Sequence, residues 1–211
     1  MEIRDLIVSV IPSESGRERM RFAIRLAARF GARLTGYYTG PTVGLLPGGP
    51  AFEVVKELHG QFGDQAAAAG IAGTWQVSGE PLIDDLLASI RVQDLAILGL
   101  GPPTGSEADL QGFRIEQVVI AAGRPVLGIP VSALPEVFPG RVLVAWDGSR
   151  EASRALHDAL PLIVAAKTVT VVSLGKRGSE LAQRAIDHLA HHGIDAVFDG
   201  RALDYDVVGD E

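Results

Sequence analysis

Apolar residues fall along this chain in two alternating rhythms. Compact runs such as Leu6-Ile7-Val8-Ser9-Val10-Ile11 and Leu95-Ala96-Ile97-Leu98 are separated by longer segments with apolar positions every three or four residues. The compact runs suit strands buried on both faces, and the longer segments suit helices with one buried stripe. The pattern predicts strands near 5–11, 33–38, 73–78, 94–98 and 125–130, and helices near 15–30, 51–69, 80–92 and 113–122. Alternation of this kind predicts an α/β fold, a doubly wound five-stranded parallel sheet covered by helices. Turn formers punctuate it. Glu80-Pro81 places proline in a first helical turn, and Gly40-Pro41 with Pro47-Gly48-Gly49-Pro50 brackets an irregular loop.

The rhythm then begins again. Val142-Leu143-Val144-Ala145-Trp146-Asp147, Gly148-Ser149 and a helical segment containing Ala155 and Leu156 repeat Leu6–Ile11, Pro12-Ser13 and the segment around Ala23 and Leu26. The offset is 136 residues, and carried onward it pairs Arg33–Tyr38 with Val169–Leu174. A repeat of this length predicts two tandem copies of one domain. The second copy supplies a strand at 141–146, a helix at 150–165, a strand at 168–174, a helix at 178–192 and a strand near 195–199. Domain boundaries are therefore expected at 1–132 and 141–211. Pro135 and Pro139 mark 133–140 as a linker, and the second copy is a partial βαβαβ unit.

Composition narrows the function. With 47% hydrophobic residues in 211, the chain can build a packed core. No uninterrupted apolar stretch approaches the roughly 18 residues of a membrane span, so no membrane association is expected. Met1-Glu2-Ile3-Arg4-Asp5 runs straight into a strand without signal-peptide features, and cysteine is absent; both point to the cytoplasm. A net charge of −7 argues against nucleic acid as the main partner. The densest basic group is Arg17, Arg19, Arg21 and Arg25. Residues 17, 21 and 25 recur every four positions and predict one solvated helix face.

In an open parallel sheet, ligands bind beyond the carboxyl ends of the strands. Two loops of the first copy reach that edge: Pro12–Gly16 and the glycine-punctuated Gly99–Gly112, which opens into a helix. Free backbone N–H groups and the helix dipole make such a loop suitable for an anion. Asp94-Leu-Ala-Ile-Leu-Gly99, the span to Gly112, and the helix ending at Pro125-Val-Leu resemble the universal stress protein family. Val144-Ala-Trp-Asp-Gly-Ser149 followed by Arg154-Ala-Leu156 resembles it too, and the likeness covers nearly the whole chain.

The resemblance implies the adenine-nucleotide α-hydrolase-like five-stranded fold, frequent dimerisation, and membership of either an ATP-binding or a non-ATP-binding class. The ATP-binding pattern needs an aspartate ending the first strand, a Gly-x-x-Gly loop followed by nine residues and a further glycine, and a hydroxyl residue directly after it. In the first copy Gly99 and Gly112 match the outer glycines. Pro102, Phe113 and Ile11 occupy the middle-glycine, hydroxyl and aspartate positions. Pro102 and Pro103 remove N–H donors, and Glu107 and Asp109 add repulsive charge, so weak or absent ATP binding is expected there.

In the second copy Asp147, Gly148 and Ser149 match the family's first-strand turn, with Asp147 the implied nucleoside contact. The same three residues also suit a plain turn with a helix cap. The partner loop would follow a fourth strand. In the family's strand order the first strand is central with the fourth beside it. A second copy of three strands would therefore leave its first strand as an open edge. We expect sequence continuing past Glu211, or another chain, to cover it.

Other motifs carry less. Gly99-Leu-Gly101-Pro-Pro-Thr-Gly105 imitates a dinucleotide pattern but follows the wrong strand, and no Walker lysine follows a glycine loop. His188, His191 and His192 stand at helical spacing without an evident third ligand, so no metal is expected. His157 beside Asp158 suits a helix surface, and Trp75 and Trp146 suit strand packing. No G-x-S-x-G elbow or cysteine nucleophile is present, so an enzyme is not expected beyond slow ATP hydrolysis. The expected function is a non-enzymatic stress-response or partner-binding role, homodimeric, requiring no cofactor. The alternative is an ATP-binding sensor whose site lies in the second copy.

Overall fold

The computed structural model describes residues 2–40, 47–77, 83–100, 115–130, 138–173 and 178–200. The chain divides into two compact units, each built on its own sheet.

In the first unit the elements are β1 (Asp5–Val10), α1 (Glu14–Phe30), β2 (Arg33–Tyr38), α2 (Pro50–Ala68), β3 (Gly73–Val77), α3 (Ile83–Arg91), β4 (Leu95–Leu100), α4 (Ile115–Ala122) and β5 (Val126–Pro130). All strand pairs are parallel, in the order β3-β2-β1-β4-β5. This is the α/β five-stranded parallel sheet that the hydrophobic rhythm predicts.

Alternation along the strands sends neighbouring side chains to opposite faces. Ile7, Tyr37, Ala96 and Leu98 meet Leu86, Leu87 and Ile90 of α3 and Val118 and Ala122 of α4 in one buried cluster. Gly36, next to Tyr37, faces the other way, where a Cβ would lie 2.7 Å from the Trp75 ring and 3.2 Å from Phe62 of α2. Helices therefore clothe both faces, which is what double winding means.

The helix ends follow their sequence signals. Ser13 caps α1 by accepting from the Gly16 N–H at 3.1 Å, and Gly31 closes it at φ 61°. Pro50 begins α2. The Glu80-Pro81 start expected for α3 lies outside the described residues. Arg21 and Arg25 are exposed as expected, and Arg21 pairs with Glu14 at 2.7 Å. At the opposite end of the sheet, one carboxylate oxygen of Asp94 accepts the backbone N–H groups of Arg4 (2.9 Å) and Asp5 (3.0 Å). That clamp fastens the chain entering β1 to the chain entering β4.

The second unit comprises β6 (Arg141–Ala145), α5 (Arg150–Ile163), β7 (Thr168–Val172), α6 (Gly178–His191) and β8 (Ala196–Phe198). Its parallel strands lie in the order β6-β7-β8, a partial sheet of the βαβαβ kind expected. Leu156 and Ile163 of α5, Ala182, Ala185 and Leu189 of α6, and Val169 and Val171 of β7 form its core, with Val142, Val144 and Trp146 packed against it. The reverse face is open among the described residues. Leu143 is 65% exposed and Val197 60%.

One sequence pairing is corrected. The caps Ser13 and Ser149 keep the 136-residue offset, but Asp5 pairs with Arg33 while Arg141 pairs with Thr168. Arg33 is thus equivalent to Thr168 and not to Val169. The connection through α5 is one residue shorter than that through α1, and a one-residue shift exchanges the two faces of a strand.

Candidate functional site

In the first unit, the loop after β1 folds back onto the helix it leads into. Ile11 is 7% exposed, and its carbonyl accepts the Ser13 N–H at 2.9 Å. A Cβ on Gly16 would lie 2.4 Å from that carbonyl oxygen and 2.8 Å from Ile11 Cγ1. Ile11 is thus an apolar plug seated on the first turn of α1.

Next to it, Tyr38 ends β2 with its hydroxyl against Gly40, where a Cβ would meet Tyr38 Oη at 2.5 Å and Pro12 Cδ at 2.9 Å. Burial pushes the Tyr38 hydroxyl pKa up, so the phenol stays neutral through the physiological range. Gly99 is buried in β4 opposite Ile129 of β5. Gly112, and with it Pro102, Pro103, Glu107, Asp109 and Phe113, lies outside the described residues.

In the second unit, Asp147, Gly148 and Ser149 come together as one turn. Asp147 Oδ1 accepts the Ser149 N–H at 2.8 Å, and Ser149 Oγ accepts the Ala152 N–H at 3.1 Å, capping α5. Gly148 holds φ at 76°, a conformation that favours glycine. Hydrogen bonding from Ser149 lowers the Asp147 carboxyl pKa below its ordinary value. Glu151 is lowered as well, by its backbone hydrogen bond at the helix start and by Arg150. The result is an ionised, exposed carboxylate beside a helix N-terminus at the carboxyl end of β6. It can accept from hydroxyl groups, while one of its oxygens is already used by the turn.

The remaining candidates are dispersed. His188 and His192 meet edge to face at 4.8 Å, and His191 Nδ1 lies 2.6 Å from the Asp187 carbonyl oxygen. Among the described residues no group of three or more His, Cys, Asp or Glu is placed to hold a metal. His157 is exposed on α5. Trp75 stacks on His59 and tilts against Phe62, each at 5.5 Å.

Sequence reasoning missed Arg19, which is 1% exposed and donates from Nε to the Ser9 carbonyl at 2.8 Å. The signal was present: residue 19 falls out of phase with 17, 21 and 25, on the stripe of Phe22, Ala23 and Leu26. Among the described residues no helix is long and apolar enough to cross a membrane.

No protein-family model and no curated protein sequence matches the chain. Solved structures do. A universal stress protein from Archaeoglobus fulgidus DSM 4304 matches over 93% of this chain and 77% of its own, at 15% identity and a TM-score of 0.67. A functionally unknown protein from Pseudomonas aeruginosa PAO1 matches over 93% and 74%, at 16% identity and a TM-score of 0.57. A universal stress protein from Archaeoglobus fulgidus in complex with dAMP matches over 61% and 99%, at 20% identity and a TM-score of 0.43. Strand order, helix placement and the match at a TM-score of 0.67 agree: the fold of this chain is that of the universal stress proteins.

Proposed function

We propose that this is a universal stress-type protein of non-enzymatic, partner-binding function, built of two tandem copies, the first of which has lost its nucleotide site. The observation that carries this reading is Ile11. Where an ATP-binding copy needs a carboxylate, this chain has a buried apolar side chain packed on α1. A nucleoside there would have to displace Ile11 and leave its own polar groups without partners, which is costly in a buried setting. In this reading the protein works as a cytoplasmic homodimer and needs no cofactor.

Calorimetric titration of Mg-ATP into the 211-residue chain tests the loss of the site, with no saturable heat expected from the first unit. Amide resonance mapping assigns any binding that occurs. Shifts centred on Val10–Gly16 and Gly99 would overturn the proposal.

A second reading rests on Asp147. Its ionised, exposed carboxylate stands at the carboxyl end of a parallel strand, as an adenine-nucleotide sensor would require. Shifts confined to Trp146–Ala152 that vanish in Asp147→Ala would favour this reading. ATP affinity unchanged by Asp147→Ala would remove it.

A further inference from the structure

We propose that His188 and His192 form a two-histidine chelate for a late first-row divalent cation, copper(II) or nickel(II), at the carboxyl end of α6. Spacing supplies the first argument. Residues four apart on a helix are neighbours on its surface. Ala182, Ala185 and Leu189 take the buried stripe of α6, and His188 and His192 stand exposed beside it. Their rings already meet, with centroids 4.8 Å apart and planes at 67°. A first-row ion bound about 2.0–2.1 Å from each of two imidazole nitrogens holds those nitrogens about 3 Å apart. Rings in edge contact reach that separation by turning about their terminal torsions, whose wells are broad.

The helix end holds both ligands in place. Gly193 closes α6 at φ 73°, and the Leu189 carbonyl accepts from His192 N at 2.9 Å and from Ile194 N at 3.1 Å. This left-handed cap fixes the backbone of His192, one residue past the last of α6. The chelate is therefore ordered before a metal arrives, which removes part of the cost of binding. Neighbouring groups are committed elsewhere. His191 Nδ1 faces the Asp187 carbonyl oxygen at 2.6 Å, and Asp187 Oδ1 accepts from Gln183 Nε2 at 2.8 Å.

The donors select the metal. Two imidazoles with the remaining positions open to water suit copper(II) and nickel(II), and copper(II) stands highest in the affinity order of such sites. The chain contains no cysteine, so no thiolate of its own competes for the ion. The negative end of the α6 dipole and the net charge of −7 both favour a cation here. Two protein ligands are fewer than a structural or catalytic zinc site uses, so the ion stays exchangeable. Its effect is to pin the last turn of α6 when metal is abundant.

The test is calorimetric titration of nickel(II) chloride into the metal-free full chain. Wild type should bind one ion with a dissociation constant of about 100 µM or below. His188→Ala and His192→Ala should each weaken binding about tenfold or more, because a second imidazole on the same helix acts at high effective concentration. His191→Ala should leave the affinity unchanged. The electron paramagnetic resonance spectrum of the copper(II) complex should show two equatorial nitrogens in wild type and one in either of the first two variants. Should an alanine variant misfold, seen by circular dichroism, the wild-type copper(II) spectrum decides: two equatorial nitrogens support the pair, and one overturns it. Absence of saturable binding by wild type overturns the proposal. So does an affinity indifferent to His188→Ala and His192→Ala, or one lost in His191→Ala.

Discussion

Gly16 stands so close to Ile11 that a Cβ there would lie 2.4 Å from the Ile11 carbonyl oxygen. The obstacle is backbone, which cannot swing aside like a side chain. Gly16→Ala should therefore destabilise the first unit by about 1–2 kcal/mol, overpacking outweighing the gain in helix propensity. The equivalent position in the second unit is already Ala152. Urea unfolding in a Trp146→Phe background, with Trp75 as the reporter, measures the effect. An unchanged or raised midpoint would show that the loop after β1 yields.

The clamp at the other end of the sheet gives a second expectation. Asp94 serves two backbone donors with one oxygen, so Asp94→Ala leaves both N–H groups without that acceptor. A loss of about 1–2 kcal/mol is expected, and Asp94→Asn, which keeps a carbonyl oxygen, should recover about half. Equal losses in the two variants would assign the effect to charge and not to hydrogen bonding.

Gly148 combines φ of 76° with Leu181 Cδ2 at 3.2 Å from a would-be Cβ. Gly148→Ala should cost the second unit about 1–2 kcal/mol, mainly from the left-handed backbone. Trp146 fluorescence in a Trp75→Phe background reports it. Gly31→Ala, with φ of 61° and open space around it, should cost the first unit less.

Asp147 sets an acid-side dependence. Hydrogen bonding from Ser149 lowers its folded pKa below the ordinary 3.8, so its contribution to stability is present above that value. The contribution disappears as pH falls through the folded pKa. Thermal unfolding between pH 6 and the acid limit should therefore lose part of its slope in Asp147→Asn. A carboxyl titration by NMR that places Asp147 at or above its ordinary value would contradict this.

Much of the fold was legible because the two hydrophobic periods differ so clearly. β1 and β4 are apolar along nearly their whole length, and α1 carries a serine at one end and a glycine at the other. What escaped was local geometry. The residue lost between α5 and β7 leaves the hydrophobic pattern almost unchanged, since Val169 and Val171 suit either alignment; only the strand pairing exposes it. Asp147-Gly148-Ser149 was legible as a turn and as a cap, and both are formed. Arg19 escaped because its charge suggests solvent, whereas its phase on the helix places it inside.

The place of β1 between β2 and β4, with helices over both faces, also sets a hierarchy of motion. An amide in β1 can exchange with solvent only when the first sheet parts, so the Val8 N–H should be among the slowest to exchange in the chain. Among the described residues no strand pairs with the outer edge of β6, and there the Leu143 N–H should exchange orders of magnitude faster. Two strands of nearly identical pattern thus report on opposite extremes of one molecule, one on its global unfolding and the other on the occupancy of its edge.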